Sequence, residues 1–170
     1  MQPIKEHLYM IGFMGVGKTS TSRALSRRLR IREIDTDVLI VQREKMPISE
    51  IFASKGEEYF RKTETALLEE LAQLSPCIVS CGGGMVLRQE NIDIMKREGR
   101  IILLSATPET IYEHVKDSTN RPLLNGHMNV EYIGQLMQER EPRYRAAADL
   151  IIETDGLTPG EVAEKIINVL

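Results

Sequence analysis

Leu8, Tyr9, Met10 and Ile11 form an apolar run, and Gly12, Phe13, Met14, Gly15, Val16, Gly17, Lys18 and Thr19 follow it directly. The run reads as a short buried strand. Ser22, Arg23, Ala24, Leu25, Ser26, Arg27, Arg28 and Leu29 then carry helical spacing. Strand, glycine loop and helix in that order give Gly-x-x-x-x-Gly-Lys-Thr a mechanism as a phosphate cradle. Glycines let backbone N–H groups curl around phosphate oxygens, and the helix N-terminus adds a favourable dipole. A nucleoside triphosphate is the expected ligand, with Gly15, Val16, Gly17, Lys18, Thr19 and Ser20 as the binding candidates. Lys18 would reach the β- and γ-phosphates, and the Thr19 hydroxyl would bind Mg²⁺.

Working outward, further apolar runs stand at 31–34, 77–79, 101–104 and 150–152, separated by helix-sized segments. That alternation predicts a mostly parallel sheet covered on both faces. Thr107-Pro108-Glu109 and Thr158-Pro159-Gly160-Glu161 read as helix starts, each with a cap residue before a first-turn proline. The long stretch 38–74 carries helical patterns where a tight crossover would suffice, and predicts a substrate-binding helical insertion. The polar segment 116–129 is expected to be a mobile lid.

The 170 residues read as a single domain able to bury roughly two-thirds of its unfolded surface. Hydrophobic content of 42% with 28% charged residues is that of a soluble globular protein, and the net charge of −3 argues against broad nucleic-acid binding. No apolar stretch reaches transmembrane length and no signal-peptide core precedes the first strand, so a cytoplasmic protein is expected. Cys77 and Cys81, four apart on a strand, would share a face at a distance too great to bridge, and read as buried reduced thiols.

Asp35 and Asp37 follow the second strand, at the edge where α/β sheets bind ligands. One would serve Mg²⁺ and the other a substrate hydroxyl; the competing reading is a cap for a helix starting near Asp37. Where many phosphate-loop proteins end the third strand in a metal-binding Asp, this chain has Ser80, which makes Asp35 the better metal candidate. Gly82, Gly83 and Gly84 imply a close approach of backbone to ligand or neighbour. Phe60 and Leu67 read as core. From spacing alone, Arg61 reads as a solvated helix residue. Arg121, in the lid segment, sits where a transition-state charge stabiliser belongs. Among Arg140, Arg143 and Arg145, one turned inward would suit a carboxylate or phosphate.

Taken together, these segments resemble shikimate kinase: the phosphate loop, Asp35-Thr36-Asp37, Phe60-Arg61-Lys62-Thr63-Glu64, Gly82-Gly83-Gly84, Arg121-Pro122-Leu123-Leu124 and Arg140-x-Pro142-x-Tyr144. The resemblance spans nearly the whole chain. It implies a three-layer α/β/α fold of the nucleoside-monophosphate-kinase type around a five-stranded parallel sheet. It also implies transfer of the γ-phosphoryl group of ATP to the 3-hydroxyl of shikimate, in chorismate and aromatic amino-acid biosynthesis, by a monomer.

Carried over by position, Lys18, Asp37 and Arg121 are the catalytic candidates, and Arg121 also closes onto ATP. Asp37 would hold substrate hydroxyls, Arg61 and Arg140 the substrate carboxylate, and Gly83 the substrate through its backbone. Thr19 and Asp35 would serve Mg²⁺. Arginines that family members often place near adenine are replaced by His114 and Lys116 in one region and are absent from 153–158 in another, so adenine contacts beyond Arg121 stay unassigned. The competing classes are a gluconate or nucleotide kinase of the same fold, and a regulatory ATP-binding module without phosphoryl transfer.

Overall fold

A computed structural model describes residues 3–117 and 129–170. Five parallel strands, β1 (His7–Ile11), β2 (Glu33–Asp35), β3 (Ile78–Ser80), β4 (Gly99–Ser105) and β5 (Leu150–Glu153), pair in the order β2-β3-β1-β4-β5. β1 is buried along its whole length, as a central strand covered on both faces must be, which explains why it reads as an unbroken apolar run. Tyr9 is level with Val79 of β3 and Ile101 of β4. The chain moves to one side of β1 for β2 and β3 and to the other for β4 and β5. The crevice beyond the carboxyl end of β1 is therefore the switch point where an open α/β sheet binds ligand, and the phosphate loop issues from it.

Helices α1 (Lys18–Leu29), α2 (Thr36–Glu44), α3 (Ile48–Lys55), α4 (Glu57–Leu71), α5 (Gln89–Glu98), α6 (Pro108–Val115), α7 (Val130–Ala147) and α8 (Pro159–Val169) flank the sheet. α1 packs on α8, α3 on α4, and α6 on α7. The expected insertion resolves into α2, α3 and α4, and Phe60 and Leu67 are buried core residues. α8 opens with a complete capping box: Thr158 N donates to Glu161 Oε2 at 2.7 Å and Glu161 N to Thr158 Oγ1 at 3.2 Å.

Two boundaries differ from the sequence reading. The second strand spans residues 33–35 and not 31–34, because its ladder with β3 runs from Glu33 opposite Ile78 to Asp35 opposite Ser80. The following helix starts at Thr36, and its cap is Asp35, whose Oδ1 accepts from Val38 N at 3.1 Å. The cap reading weighed for this turn is thus satisfied by Asp35, leaving Asp37 in the first turn of α2.

Both cysteines are buried free thiols. Cys77 has a histidine neighbour that no local pattern reveals. His7 Nδ1 accepts from Cys77 N at 3.2 Å and lies 3.3 Å from Cys77 Sγ. Burial lowers the His7 pKa, which keeps the ring neutral and able to accept. The segment 118–128, which holds Arg121 and most of the stretch read as a lid, lies outside the described residues.

Candidate active site

The phosphate loop is closed by its own groups. Lys18 Nζ donates to Gly12 O at 2.7 Å and Phe13 O at 3.1 Å, which folds the lysine back over the loop. The Gly15–Val16 peptide is held on both sides: Val16 N donates to Phe13 O at 3.2 Å, and Gly15 O lies 2.6 Å from His114 Nδ1. A carbonyl only accepts, so His114 carries a proton on Nδ1. The end of α6 is thereby fastened to the loop.

Thr19, in the first turn of α1, donates from Oγ1 to Asp35 Oδ2 at 2.6 Å. Asp35 ends β2 beside the Ser80 end of β3, and Asp35 and Ser80 line the same cleft as the loop. The cluster is one of hard oxygen donors. Among the described residues no group of three His, Cys, Asp or Glu side chains is arranged to cage a metal.

The cleft has a volume of about 420 Å³. Its floor is the loop from Met14 to Thr21. Asp37, Gly83 and Cys81 line one side, and His114, Thr154, Leu157 and Pro159 another. The loop after β5 is tied to α6 through Asp155, whose Oδ1 accepts from Thr107 N and Thr107 Oγ1, each at 3.0 Å, and from Thr110 Oγ1 at 2.5 Å. These bonds hold the Asp155 carboxyl below its usual pKa.

On the side of Asp37, three chain segments converge on the glycine turn. Thr36, buried in α2, accepts from Gly82 N at 3.0 Å. A Cβ built on Gly82 would stand 2.7 Å from Asp37 Oδ1 and 2.9 Å from Glu64 Oε2. On Gly84 it would stand 2.3 to 2.5 Å from the guanidinium atoms of Arg61. A Cβ at Gly82 or Gly84 would force these groups to shift, which accounts for glycine at those two positions. On Gly83 a Cβ would be 3.7 Å from Arg140 Nη1 and 3.8 Å from Tyr144 Oη. Tyr144 donates to Gly83 O at 2.6 Å.

Arg61 is not the solvated surface residue its spacing suggests. Its side chain is 12% exposed and its Nη1 pairs with Glu64 Oε1 at 2.7 Å, while Glu64 is wholly buried. Burial raises the Glu64 pKa to about 7, against the pull of Arg61 beside it. Arg61 Nε and Glu64 Oε2 are both buried without a hydrogen-bond partner.

Of the three clustered arginines, Arg143 donates to Leu87 O at 3.1 Å and Arg145 pairs with Glu141 at 2.6 Å, leaving Arg140 as the one against the glycine turn. The sequence reading gave no role to Glu64, Tyr144 or His114. Glu64 and Tyr144 stood inside the quoted motifs, and that company was the available signal.

The profile of the shikimate kinase family matches residues 14–170. A shikimate kinase of Dehalococcoides mccartyi is 42% identical over 163 residues, covering 96% of this chain and 92% of the relative. One of Thermodesulfovibrio yellowstonii is 42% identical over 162 residues, covering 95% and 93%. The solved structure of shikimate kinase from Acinetobacter baumannii in complex with shikimate matches with a TM-score of 0.92 at 30% identity, covering 98% of this chain and 93% of that one. Matched from the phosphate loop to the last residue, the chain belongs to the shikimate kinase family.

Proposed function

We propose that, in the ATP-dependent phosphorylation of shikimate this enzyme performs, the phosphate loop holds ATP and the wall made by Asp37, Arg61, Gly83 and Arg140 holds the acceptor. The convergence of both arginines on the glycine turn, whose Gly83 lines the same cleft as Asp37 and Lys18, carries this reading. Shikimate is a small hydroxylated ring with one carboxylate. Two guanidinium groups give that carboxylate charge balance and a fixed orientation, and Asp37 accepts from the ring hydroxyls.

The Gly12 and Phe13 carbonyls keep Lys18 pointed along the loop, and phosphate oxygens take their place as its partners when ATP binds. The amides of Gly15, Val16, Gly17, Lys18, Thr19 and Ser20 surround the phosphates, and Arg121 supplies further positive charge. The transfer makes a bond from the substrate 3-oxygen to the γ-phosphorus, breaks the bond to the ADP oxygen and releases the 3-hydroxyl proton on the side of Asp37, from which it passes to solvent. Positioning and charge stabilisation provide most of the rate.

The Thr19 hydroxyl and the Asp35 carboxylate suit Mg²⁺, which favours hard oxygen ligands, one or two carboxylates, and phosphate oxygens. Held by these two groups, Mg²⁺ would supply charge neutralisation to the triphosphate. We take the chain to act as a single-domain monomer in the cytoplasm. No helix among the described residues is long and apolar enough to cross a membrane.

The test is to compare shikimate with its methyl ester as acceptor. Loss of the negative charge is expected to reduce kcat/KM about 100-fold or more, the scale of a charge-assisted bidentate contact. Equal kcat/KM for both would overturn the acceptor-wall assignment.

A further inference from the structure

Arg140 and Gly83 come from distant parts of the chain, and the arginine stands on a weakened stretch of helix. Pro142 lies within α7 and has no N–H, so the carbonyl of Gln138 lacks its usual partner one turn on. A side chain at Arg140, beside this break, needs an anchor outside its own helix ladder if its guanidinium is to keep one position.

Tyr144 lies one turn beyond Arg140. Its ring is 2% exposed, and its hydroxyl has spent its only proton on Gly83 O at 2.6 Å. A phenol oxygen that donates once still has lone pairs to offer. Arg140 is the cation beside it: charge and hydrogen bonding from Arg140 oppose the rise that burial imposes on the phenol's pKa. The point where a Gly83 Cβ would stand is 3.7 Å from Arg140 Nη1 and 3.8 Å from Tyr144 Oη, so the guanidinium and the phenol both face the same glycine.

We propose that Tyr144 is a positioning residue for acceptor recognition: its hydroxyl, shared between Gly83 O and the Arg140 guanidinium, locks the glycine turn and the arginine into one carboxylate-binding unit. It touches no substrate. The ring is packing that phenylalanine could supply, whereas the hydroxyl sets the geometry of the acceptor wall. The role rests on the acceptor-wall reading above.

The experiment is a double-mutant cycle of Tyr144→Phe and Arg140→Ala, with KM for shikimate and for ATP measured separately. Tyr144→Phe is expected to raise the shikimate KM about 10-fold, the scale of one hydrogen bond to a charged group, and to leave the ATP KM within about twofold. In the Arg140→Ala background the same change is expected to add less than about twofold, because the partner is gone. An unchanged shikimate KM in Tyr144→Phe, an equal rise for both ligands, or a full-sized effect in the Arg140→Ala background would each overturn the proposal. If Tyr144→Phe melts below the assay temperature, shikimate affinity measured by titration calorimetry at low temperature replaces the kinetics, with the same expectations. Arg140→Ala alone separates the two readings. If it leaves the shikimate KM unchanged, the acceptor wall itself fails; if it raises that KM while Tyr144→Phe does not, only the tether fails.

Discussion

Arg61 Nη1 lies 2.7 Å from Glu64 Oε1, one turn further along α4, and Glu64 has no exposure to solvent. The arginine nearest the glycine turn is thus held by a buried carboxylate on its own helix and is not swinging in water. Its Nη2 also reaches Glu57 Oε1 at 3.4 Å, a longer contact to an exposed carboxylate that a ligand carboxylate can replace. An arginine anchored in this way is pre-organised for a ligand, because the entropy of fixing a long side chain has already been spent in folding.

Arg61→Ala is therefore expected to raise the shikimate KM by about 30-fold or more, since removing one partner of a desolvated charge pair is costly. The ATP KM should stay within about twofold. Separate saturation curves for the two substrates check this. Equal losses for both would mean that Arg61 supports the fold and not the acceptor.

Gly84→Ala isolates the position of Arg61 from its charge. The added Cβ would lie 2.3 to 2.5 Å from the guanidinium, so Arg61 has to shift and gives up part of its contact with Glu64. The fold should survive, with Tm lowered by no more than about 4 °C, the equivalent of roughly 1 kcal/mol in a domain of this size. The shikimate KM should still rise about 10-fold, the equivalent of 1.4 kcal/mol. Calorimetric melting together with kinetics reads both quantities.

Glu64 makes a prediction about pH. Its carboxyl is raised from the usual 4.5 to about 7, so the folded protein holds this proton more tightly than the unfolded chain does. The stability it contributes is fully present below pH 4.5 and is lost as pH rises through 7. Glu64→Gln cannot ionise and lacks this dependence. Relative to the variant, the parent should lose about 3 °C or more in Tm between pH 5 and 8, by the usual conversion for a domain of this size. Parallel melting curves across that range would show the expectation to be wrong.

Asp35 has two jobs in the structure, capping α2 through Oδ1 and holding Thr19 through Oδ2. Asp35→Asn keeps the oxygen that accepts from Val38 and removes the charge. The Mg²⁺ concentration for half-maximal activity should rise about 10-fold, equivalent to 1.4 kcal/mol, with a small change in Tm. A metal titration at fixed ATP decides it; an unchanged midpoint would exclude Asp35 as a ligand.

Much of this site was legible because its signals are local. Gly12 to Thr19, Asp35 with Asp37, and the Thr158–Glu161 capping box each lie within a few residues, and backbone geometry follows from short-range residue type. What stayed hidden depends on contacts across the chain. Arg61 reads as surface until the glycine turn, more than twenty residues later, is folded onto it. Glu64 looks like any helix carboxylate, since nothing in its neighbours signals complete burial. The His7–Cys77 contact spans 70 residues. Apolar content places the second strand at 31–34, whereas pairing with β3 sets its extent at 33–35. Family resemblance assigns Arg61 to the acceptor carboxylate, where spacing alone reads a surface residue.

The most direct measurement is acceptor-stimulated ADP release by the purified protein with ATP and Mg²⁺, comparing shikimate, gluconate and a nucleoside monophosphate. The acceptor wall proposed for Asp37, Arg61, Gly83 and Arg140 predicts stimulation by shikimate and none above background by the other two. Stimulation by gluconate or the monophosphate, with shikimate inert, would contradict the account.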